Sequence, residues 1–463
     1  MYKNKPHFSP FYERMLQADL PEVFIETFAF YYDQLVHGRT GLIAEDEIVP
    51  VTAVPDAEAL SDTFVDIGEQ ALAKTAVIKL NGGLGTSMGL EHTKSLLPVK
   101  QQLTFLDITA RQVQQTNTPL VLMNSFATEA DSLATLAKYN LAVNIPQSFL
   151  QHKAPKVRRD NLLPVEWPPN PELTWCPPGH GDIYTAVYTS GTLSALLNAG
   201  YKYAFVSNAD NLGAVLDPAI LGYFVHHNYS FMMEVADRTE MDKKGGHLAQ
   251  LPNGQLILRE SAQCPDEDVP TFQDVTRHRY FNTNNLWLNL PALQQLLAEH
   301  SYRLGLPMIR NKKTVDPRDP SSTPVYQLET AMGSAIAVFA DAQALRVPRT
   351  RFAPVKTTDD LFLIRSDVYE LTDDFRVVMA AARNGRQPIV NLDPHHYKFV
   401  PDMDAHFPHG LPAMLACDQL NITGDVYFGS NIRCVGSVII QNRSQQPITI
   451  PENTILSGTY VFE

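Results

Sequence analysis

Four short apolar runs stand out in the first half of the chain. They are TAVIKL (75–80), PLVLMN (119–124), YAFVSN (203–208) and FMMEVA (231–236). Runs of this length are typical of strands that are buried on both faces of a sheet. Segments with helical periodicity, such as TFLDITARQVQQ and VYTSGTLSALLNAG, separate several of them. The pattern therefore predicts an α/β fold around a mixed, mostly parallel sheet, with ligands bound beyond the carboxyl ends of the strands.

The residues before the first run have a helical pattern. LPEVFIETFAFYYDQLVHG has apolar positions on a helical spacing and ends in Gly38, which suits a helix C-cap. PDAEALSDTFVDIGEQAL predicts a second helix with Asp56 near its start. We therefore predict an N-terminal helical segment over residues 1–70, followed by a catalytic domain over residues 71–385.

A different period governs the end of the chain. Apolar residues recur every six positions, with one interruption at NRSQQP: Ile422, Phe428, Cys434, Ile440, and then Ile450, Leu456 and Phe462. Helices repeat at 3.6 and strands at 2, so a period of six indicates the hexapeptide coils of a β-helix. We predict a C-terminal β-helix domain over residues 386–463; a few ordinary strands are the simpler alternative.

Composition and charge narrow the class of protein. The chain has 463 residues, 44% of them hydrophobic, and a formal net charge of -13. That charge argues against binding to nucleic acid or to an anionic membrane, while a local positive pocket could still hold a phosphorylated small molecule. The four cysteines are scattered, and the sequence has no apolar run long enough for a signal peptide or a membrane span. We expect a cytoplasmic protein without disulfides.

The glycine-rich stretch KLNGGLGTSMGLEHTKS (79–95) carries the candidate chemistry. A phosphate-binding P-loop requires glycine before its lysine, whereas Thr93 precedes Lys94 here. The letters GTSMG match a hydrolase nucleophile elbow with Ser87 as nucleophile. That elbow sits on a sharp turn directly after a strand, but here the strand ends near Leu80 and four residues intervene.

Two further interpretations of the stretch remain. A dinucleotide fingerprint is a weak match, because the third glycine comes one residue late. A loop without side-chain bulk can instead let backbone N–H groups approach a nucleotide, with Lys94 placing a positive charge on its phosphates. An ordinary glycine-rich turn with an exposed lysine fits this stretch equally well when it is taken alone.

Further blocks of sequence resolve that choice. KLNGGLGTSMG with the following Lys-Ser resembles the eukaryotic-type UTP–glucose-1-phosphate uridylyltransferases, also called UDP-glucose pyrophosphorylases. The resemblance extends in order over about residues 75–370 through FLQHKAPKV, WCPPGHGDIY, FVSNADNLGA, RTEMDKKGGHL, FNTNNLWLNL, VYQLETAMGSAI and VPRTRFAPVKTTDDLFLIRSDVY. It implies a Rossmann-like nucleotidyltransferase (GT-A-like) central domain and a C-terminal left-handed β-helix that mediates assembly or regulation.

The resemblance also implies the nucleotide site. Uridine is expected to contact Leu80, Asn81, Gly82, Gly83, Gln151, Gly179 and Asn208. A side-chain amide such as that of Gln151 has both a donor and an acceptor for the edge of uracil. Lys94 is the implied catalytic lysine on the triphosphate. Members of the family usually have proline before it, and Thr93 departs from that pattern.

The remaining site residues follow from the same resemblance. The sugar phosphate is expected to contact His180, Asn282, Thr283, Asn284 and Glu329, with Lys356 as a second phosphate-contacting, catalytic lysine. Asp210 is the implied ligand of Mg²⁺, a hard ion that prefers carboxylate oxygen and phosphate.

The implied reaction joins UTP and glucose 1-phosphate into UDP-glucose and pyrophosphate. The nearest alternative is the same chemistry with galactose 1-phosphate or N-acetylglucosamine 1-phosphate. A serine hydrolase using Ser87 and a non-catalytic nucleotide-binding protein are the alternatives from other classes. We expect no nucleic-acid or membrane partner, and a homo-oligomer formed through the C-terminal domain is one possibility.

Overall fold

A ten-stranded mixed sheet forms the centre of the molecule in the computed structural model, which describes residues 7–141 and 144–463. Its main path runs in the order Val49–Pro50, His247–Gln250, Tyr280–Asn289, Tyr203–Asn208, Thr75–Asn81, Leu120–Asn124, Ser148–Leu150, and the three strands off this path are Phe231–Asp237, Gln343–Arg346 and Leu256–Arg259. The four apolar runs of the sequence are therefore strands of this sheet, as predicted.

Most of the sheet runs in one direction. The strands Val49–Pro50, Leu256–Arg259 and Tyr280–Asn289 are opposed to the rest. The strand Thr75–Asn81 lies between two parallel neighbours, Tyr203–Asn208 and Leu120–Asn124. The prediction of a mixed, mostly parallel sheet is confirmed, and the carboxyl ends of the parallel strands share one edge.

Helices connect and cover these strands. Their bounds are Ser9–Gln17, Glu22–Val36, Thr63–Leu72, Phe105–Thr116, Glu129–Leu136, Ile183–Thr189, Thr192–Asn198, Pro218–His226, Val269–Phe272, Leu290–Glu299, Thr358–Arg365, Pro394–Tyr397 and Val400–His406. The predicted helix that ends in Gly38 is present, and Gly38 has the left-handed φ of 75° expected just beyond a helix end. The predicted helix near residue 190 is interrupted at Gly191, whose φ is 76°.

The second predicted N-terminal helix is shorter than expected. Asp56 caps only a single 3₁₀ turn, Ala57–Ala59, and the α-helix begins at Thr63. The strand Val49–Pro50 already pairs with the central sheet. The domain boundary at residue 70 stays a prediction, and the first six residues of that predicted segment lie outside the described part of the chain.

The C-terminal region consists of parallel strands in two sheets. The larger sheet has four strands, Ile389–Leu392, Ala413–Thr423, Arg433–Asn442 and Ile455–Phe462. The smaller sheet has two, Val426–Phe428 and Ile448–Ile450. From residue 413 to residue 462 the chain alternates between the two sheets. Ile422 lies opposite Ile440, three hexads further along the chain. The first six hexad positions are buried and Phe462 is partly buried. A left-handed β-helix stays a prediction.

One apolar core joins this region to the central part of the chain. It includes Met88 of the glycine-rich loop, Phe105, Val355, and Phe428 of the C-terminal strands. All four cysteines are free and buried. Within the described residues, no helix combines the length and the apolar composition that crossing a membrane requires.

Candidate active site

The candidate site residues gather at the carboxyl edge of the central sheet. Asn208 lies opposite Leu80 in the parallel register, and Asn81 lies opposite Asn124. Gln151 follows the strand Ser148–Leu150, and its backbone N–H donates to the carbonyl of Asn124 over 2.8 Å. The parallel register therefore brings together segments that lie far apart in the sequence.

The glycine-rich loop folds back on itself beyond this edge. A 3₁₀ turn, Thr86–Met88, is flanked by Gly85 and Gly89, which have left-handed φ values of 69° and 73°. The backbone N–H of Lys94 then donates to the carbonyl of Gly83 over 3.2 Å. These left-handed positions favour glycine because a Cβ atom would be strained there. The loop therefore returns Lys94 to the end of the strand that precedes it.

Thr93 occupies the position where a proline was expected. Its φ is -53°, within the range that a proline ring would impose, and its ψ of 123° is extended. The backbone at Thr93 therefore has a conformation that a proline could also adopt.

Lys94 and Asp210 form an ion pair. The Nζ atom of Lys94 lies 2.6 Å from the Oδ2 atom of Asp210, and the two side chains are 16% and 22% exposed. Both groups are thus near solvent and can exchange partners when an anion and a cation arrive. The proposed phosphate ligand and the proposed metal ligand are therefore neighbours.

The amide of Gln151 packs directly against Gly82. A Cβ atom at Gly82 would lie 2.9 Å from Oε1 and 3.0 Å from Nε2 of Gln151. Only a glycine leaves this amide its present position. The side chain of Asn81, by contrast, is buried and donates to Asn124 and Ser132. Asn81 can therefore offer a ligand only its backbone in this conformation.

A second group of predicted residues surrounds the segment after Glu329. Gly179 has a φ of 81°, and a Cβ atom there would lie 2.3 Å from the carbonyl oxygen of Thr330 and 3.0 Å from the Cβ atom of Glu329. The backbone N–H of Met332 donates to Nδ1 of His180 over 2.9 Å. The loop with Gly179 and His180 is thus fixed against Glu329.

Burial shifts the pKa of both polar side chains in this group. It lowers the pKa of His180 to about 4, so the imidazole is neutral near pH 7. Because Nδ1 accepts the N–H of Met332, the ring proton is on Nε2, which can donate to an anionic oxygen. Burial also raises the pKa of Glu329, although a hydrogen bond with Asn311 opposes the rise.

Asn282, Thr283 and Asn284 lie at an irregularity in the sheet. Asn284 has a φ of 59° and is the most accessible of the three. The amide of Asn282 donates to Oδ1 of Asn284 over 2.9 Å, whereas the buried hydroxyl of Thr283 donates to the backbone carbonyl of Glu234 over 2.7 Å. Of these three predicted sugar contacts, Asn284 is the best placed to meet a ligand.

Lys356 is exposed at the end of a segment that pairs with the Asp210 loop. Pro354 forms an isolated antiparallel bridge with Asn211, the residue after Asp210. The Nζ atom of Lys356 lies 5.8 Å from the centroid of the Phe352 ring. The backbone before Lys356 is therefore held against the Asp210 loop by the Asn211–Pro354 bridge and by the hydrogen bond from Val355 N–H to the carbonyl of Asp210.

A buried ionic network beneath the site was not predicted from the sequence. The carboxylate of Glu234 accepts two hydrogen bonds from Arg351, at 2.8 and 2.7 Å, and one each from Asn285 and Trp287. Asn211 also donates to Asn285 and to the carbonyl of Arg351. The only signal in the sequence was a single glutamate inside the apolar run FMMEVA, which predicts a buried partner without naming it.

Lys79 is a second buried group that the sequence analysis missed. Its Nζ atom donates to Ser207 and to the carbonyl of Ala214. Burial, together with the charge of Arg351, lowers the pKa of Lys79 to about 7. Lys79 is 3% exposed and has protein partners for its ammonium group, so in this conformation it offers a ligand no free contact.

The hydrolase interpretation finds no support in this geometry. Ser87 is exposed within the 3₁₀ turn, and the preceding strand ends at Asn81. A nucleophile elbow requires the serine on a sharp turn directly after the strand. Ser87 is therefore not held in that arrangement.

Metal ligands are sparse near the glycine-rich loop. In residues 7–141 and 144–463, one group of three or more His, Cys, Asp or Glu ligands is close enough to hold an ion, and it is His396, His406 and Asp425. Over the same residues, Asp210 is not part of a cluster. A single carboxylate suits an ion that is bound mainly through phosphates and water.

Comparisons with known proteins show which family and which solved structures the chain is similar to. A family model described as UTP--glucose-1-phosphate uridylyltransferase matches residues 24–434. The chain is 41% identical to a UTP--glucose-1-phosphate uridylyltransferase from Saccharomyces cerevisiae, over 84% of this chain and 78% of that protein. It is 40% identical to one from Solanum tuberosum, over 84% of this chain and 81% of that protein. A crystal structure of a mutant of UDP-glucose pyrophosphorylase from Leishmania major aligns over 100% of both chains with a TM-score of 0.91 and 41% identity.

Proposed function

The chain belongs to the UTP--glucose-1-phosphate uridylyltransferase family, and we propose that it transfers uridylyl from UTP to glucose 1-phosphate. The products are UDP-glucose and pyrophosphate, and the reaction is reversible. The observation that carries the proposal is the Lys94–Asp210 pair of 2.6 Å beside the glycine-rich loop. This pair supplies a cation for phosphate and a carboxylate for a metal at one point of the sheet edge.

Uridine binds against the strand Thr75–Asn81 and the glycine-rich loop. The backbones of Leu80, Asn81, Gly82 and Gly83 approach the nucleotide, and Gln151 presents its amide to the edge of uracil. Support comes from the packing of that amide on Gly82. Gly179 and Asn208 complete the nucleotide site.

Glucose 1-phosphate binds in the second group of residues. His180 donates a hydrogen bond from Nε2 to a phosphate oxygen while it stays neutral, since its pKa is lowered to about 4. Asn282, Thr283, Asn284 and Glu329 surround the sugar hydroxyls. The accessible position of Asn284 and the docking of His180 on the segment after Glu329 support this arrangement.

The metal is Mg²⁺, and Asp210 holds it. The fit rests on the chemistry of the donor: one partly exposed carboxylate at the strand edge, with a lysine as its present partner. Mg²⁺ takes one or two protein carboxylates and completes its shell with water and phosphate oxygens. When bound, it neutralises charge and orients the phosphates.

The reaction requires positioning rather than an enzyme nucleophile. A phosphate oxygen of the sugar phosphate attacks the α-phosphorus of UTP, in line with the departing pyrophosphate. Lys94 and Lys356 bring together two anions that repel each other and stabilise the charge that builds up in the transition state. No general base is needed, because the attacking oxygen is already an anion.

The proposal also assigns roles to the parts of the chain. The catalytic part spans residues 71–385. The C-terminal part, residues 386–463, is a left-handed β-helix that serves assembly or regulation. The alternation of parallel strands and the buried hexad positions support the β-helix. A homo-oligomer formed through this part, a cytoplasmic location and the absence of nucleic-acid and membrane partners complete the proposal.

A substrate panel tests the proposed function. Pyrophosphate release is measured for UTP and CTP with glucose, galactose and N-acetylglucosamine 1-phosphates, in wild type and in Gln151→Ala. Cytosine has a donor where uracil has an acceptor, and an acceptor where uracil has a donor. Each group of the site that is left unpaired by this exchange costs roughly 1–3 kcal/mol. We expect wild type to prefer UTP by around a hundredfold or more in kcat/KM, and Gln151→Ala to narrow that gap. Equal use of both nucleotides would disprove uridine recognition.

A further inference from the structure

Two histidines and an aspartate converge in the C-terminal part of the chain, apart from the residues assigned above. His396 lies in the short helix Pro394–Tyr397, His406 ends the helix Val400–His406, and Asp425 lies between two strands. One ligand atom from each falls within 4.8 Å of the other two. Nε2 of His406 is 2.9 Å from Oδ1 of Asp425, and Nδ1 of His396 is 4.0 Å from the same oxygen.

The hydrogen bonds of His406 determine where its lone pair points. Its Nδ1 atom lies 2.6 Å from the backbone carbonyl of Asp402, which can only accept, so Nδ1 carries a proton. In a neutral ring Nε2 then has the lone pair, and it faces the Asp425 carboxylate, which also only accepts. Two acceptors at 2.9 Å repel each other unless a proton or a metal cation lies between them.

The surroundings of His406 hold its ring in this orientation. The ring stacks on Tyr427 with centroids 4.4 Å apart and packs against Tyr397 at 4.5 Å. The backbone carbonyl of Asp425 accepts from Asn442 over 2.8 Å. A histidine whose second nitrogen is fixed by a backbone carbonyl is the usual arrangement of a metal ligand.

The convergence of His396 distinguishes a metal site from a simple ion pair. A proton on Nε2 of His406 would by itself provide a hydrogen bond to the Asp425 carboxylate. It would not explain why Nδ1 of His396 also lies near the same oxygen, at 4.0 Å. His396 and Asp425 keep 35% and 30% of their side chains exposed, so an ion can enter from solvent. His406 forms the buried side of the cluster.

We propose that His396, His406 and Asp425 bind a divalent transition-metal ion, with Zn²⁺ as the best fit. Two imidazole nitrogens and one carboxylate oxygen are the donors that this ion prefers. Bonds of about 2.1 Å in a tetrahedral site place the ligand atoms roughly 3.4 Å apart. The two measured spacings, 2.9 and 4.0 Å, lie on either side of that value. The fourth position is open to water.

Bound metal would join the helices Pro394–Tyr397 and Val400–His406 to the turn between the strands Ala413–Thr423 and Val426–Phe428. His396 and His406 flank Phe399, whose ring packs on Gly89 of the glycine-rich loop. The site would thus fix the segment on which that loop rests. It is separate from Asp210, which belongs to no such cluster in the described residues and, as a single carboxylate, suits Mg²⁺.

Co²⁺ is the probe for this site, because its visible absorption reports nitrogen coordination at low coordination number. The metal-free full-length chain is titrated with Co²⁺, and Zn²⁺ affinity is measured by competition with a chromophoric chelator. We expect one equivalent per chain that excess Mg²⁺ does not displace. His406→Gln and Asp425→Asn each lose a ligand, so each should weaken Zn²⁺ binding by on the order of 100-fold or more. Loss of a residue that only orients a ligand costs about 10- to 100-fold, so loss of a ligand itself should cost at least as much.

His395→Gln is the matched control. His395 is next to the cluster, but its side chain is 87% exposed and pairs with Asp393. It should retain the full equivalent. If wild type binds no Co²⁺, or if the three variants bind it equally well, the proposal is wrong.

His396→Gln keeps the test valid if the more buried substitutions disturb folding. Its partly exposed side chain can be replaced with little effect on packing. Zn²⁺ should raise the Tm of wild type and of His395→Gln, and should not raise that of His396→Gln. A Zn²⁺-dependent rise of equal size in all three proteins would place the ion elsewhere and overturn the assignment.

Discussion

Lys94 and Asp210 hold opposite charges at hydrogen-bond distance, so each is the other's partner until ligands arrive. Their side chains are less than one quarter exposed, and the interaction is therefore only partly screened by water. In the proposed mechanism, this one pair is replaced by two, the metal on the carboxylate and phosphate on the lysine. The same two residues would then neutralise charge in both states.

Replacing Asp210 with asparagine tests the metal assignment. The amide is a poor ligand for Mg²⁺, and the variant also releases Lys94. We expect the Mg²⁺ concentration for half-maximal activity to rise about tenfold or more, which corresponds to roughly 1.4 kcal/mol of metal binding. The measurement is a Mg²⁺ titration of pyrophosphate release, with thermal unfolding as the control for folding. An unchanged Mg²⁺ dependence would move the metal site elsewhere.

Gly82 sets the position of the proposed uracil reader. In Gly82→Ala the new Cβ atom would lie 2.9–3.0 Å from the amide of Gln151 and force it to move. We expect this variant to lose much of the preference for UTP over CTP, in the same direction as the change expected for Gln151→Ala. The ratio of kcat/KM values for the two nucleotides is the measurement.

Gly83→Ala is the comparator for that experiment. Its new Cβ atom would meet nothing within 4 Å in the structure, so it changes the stiffness of the loop without touching Gln151. Equal effects of the two alanines on the UTP/CTP ratio would show that the position of the Gln151 amide does not by itself set the preference.

Secondary-structure elements were predictable where a single physical signal dominated. A strand buried on both faces is mostly apolar, so TAVIKL and YAFVSN were recognised without further information. The hexad positions of the C-terminal strands were recognised from their period, and Ile422 does stack on Ile440. Gly191 was harder, because a single glycine inside a helical pattern is often tolerated at a cost of about 1 kcal/mol and so does not mark a break by itself.

The parts that escaped prediction depend on partners that are distant in the sequence. Glu234 and Arg351 are separated by 117 positions, and no local pattern pairs them. The same holds for the contact between Gly82 and Gln151, which arises from the parallel register of the strands. Resemblance to a family named the site residues, whereas only the fold shows which backbone or side-chain group each can offer.

The buried pair of Glu234 and Arg351 connects two strands to the loop that carries Asp210. Glu234 is fully buried, and Arg351→Met would leave its charge with only neutral donors. Breaking a buried pair from one side costs about 3–5 kcal/mol. We expect a large fall in the midpoint of urea unfolding, and a partial recovery when Glu234→Gln is added. A midpoint equal to that of wild type would contradict this role.

At the scale of the whole molecule, the glycine-rich loop rests on the C-terminal region. Met88 belongs to the apolar core that includes Phe428 and Ile440 of the C-terminal strands. Gly89 packs so closely on Phe399 that a Cβ atom there would lie 2.8 Å from its side chain. The position of the loop in the catalytic part therefore depends on a residue more than 300 positions further along the chain.

Phe399→Ala tests this dependence, because Phe399 has no assigned contact with substrate. Removing the ring leaves the loop held by the packing of Met88 and by its own backbone hydrogen bonds, such as that from Lys94 to Gly83. We expect kcat/KM for UTP to fall about fivefold, which corresponds to roughly 1 kcal/mol of lost positioning. Ile455→Ala is the control, since Ile455 is 63% exposed on the last strand and should leave the rate unchanged. If Phe399→Ala lowers the Tm but keeps the wild-type kcat/KM, the ring of Phe399 contributes only stability and does not position the loop.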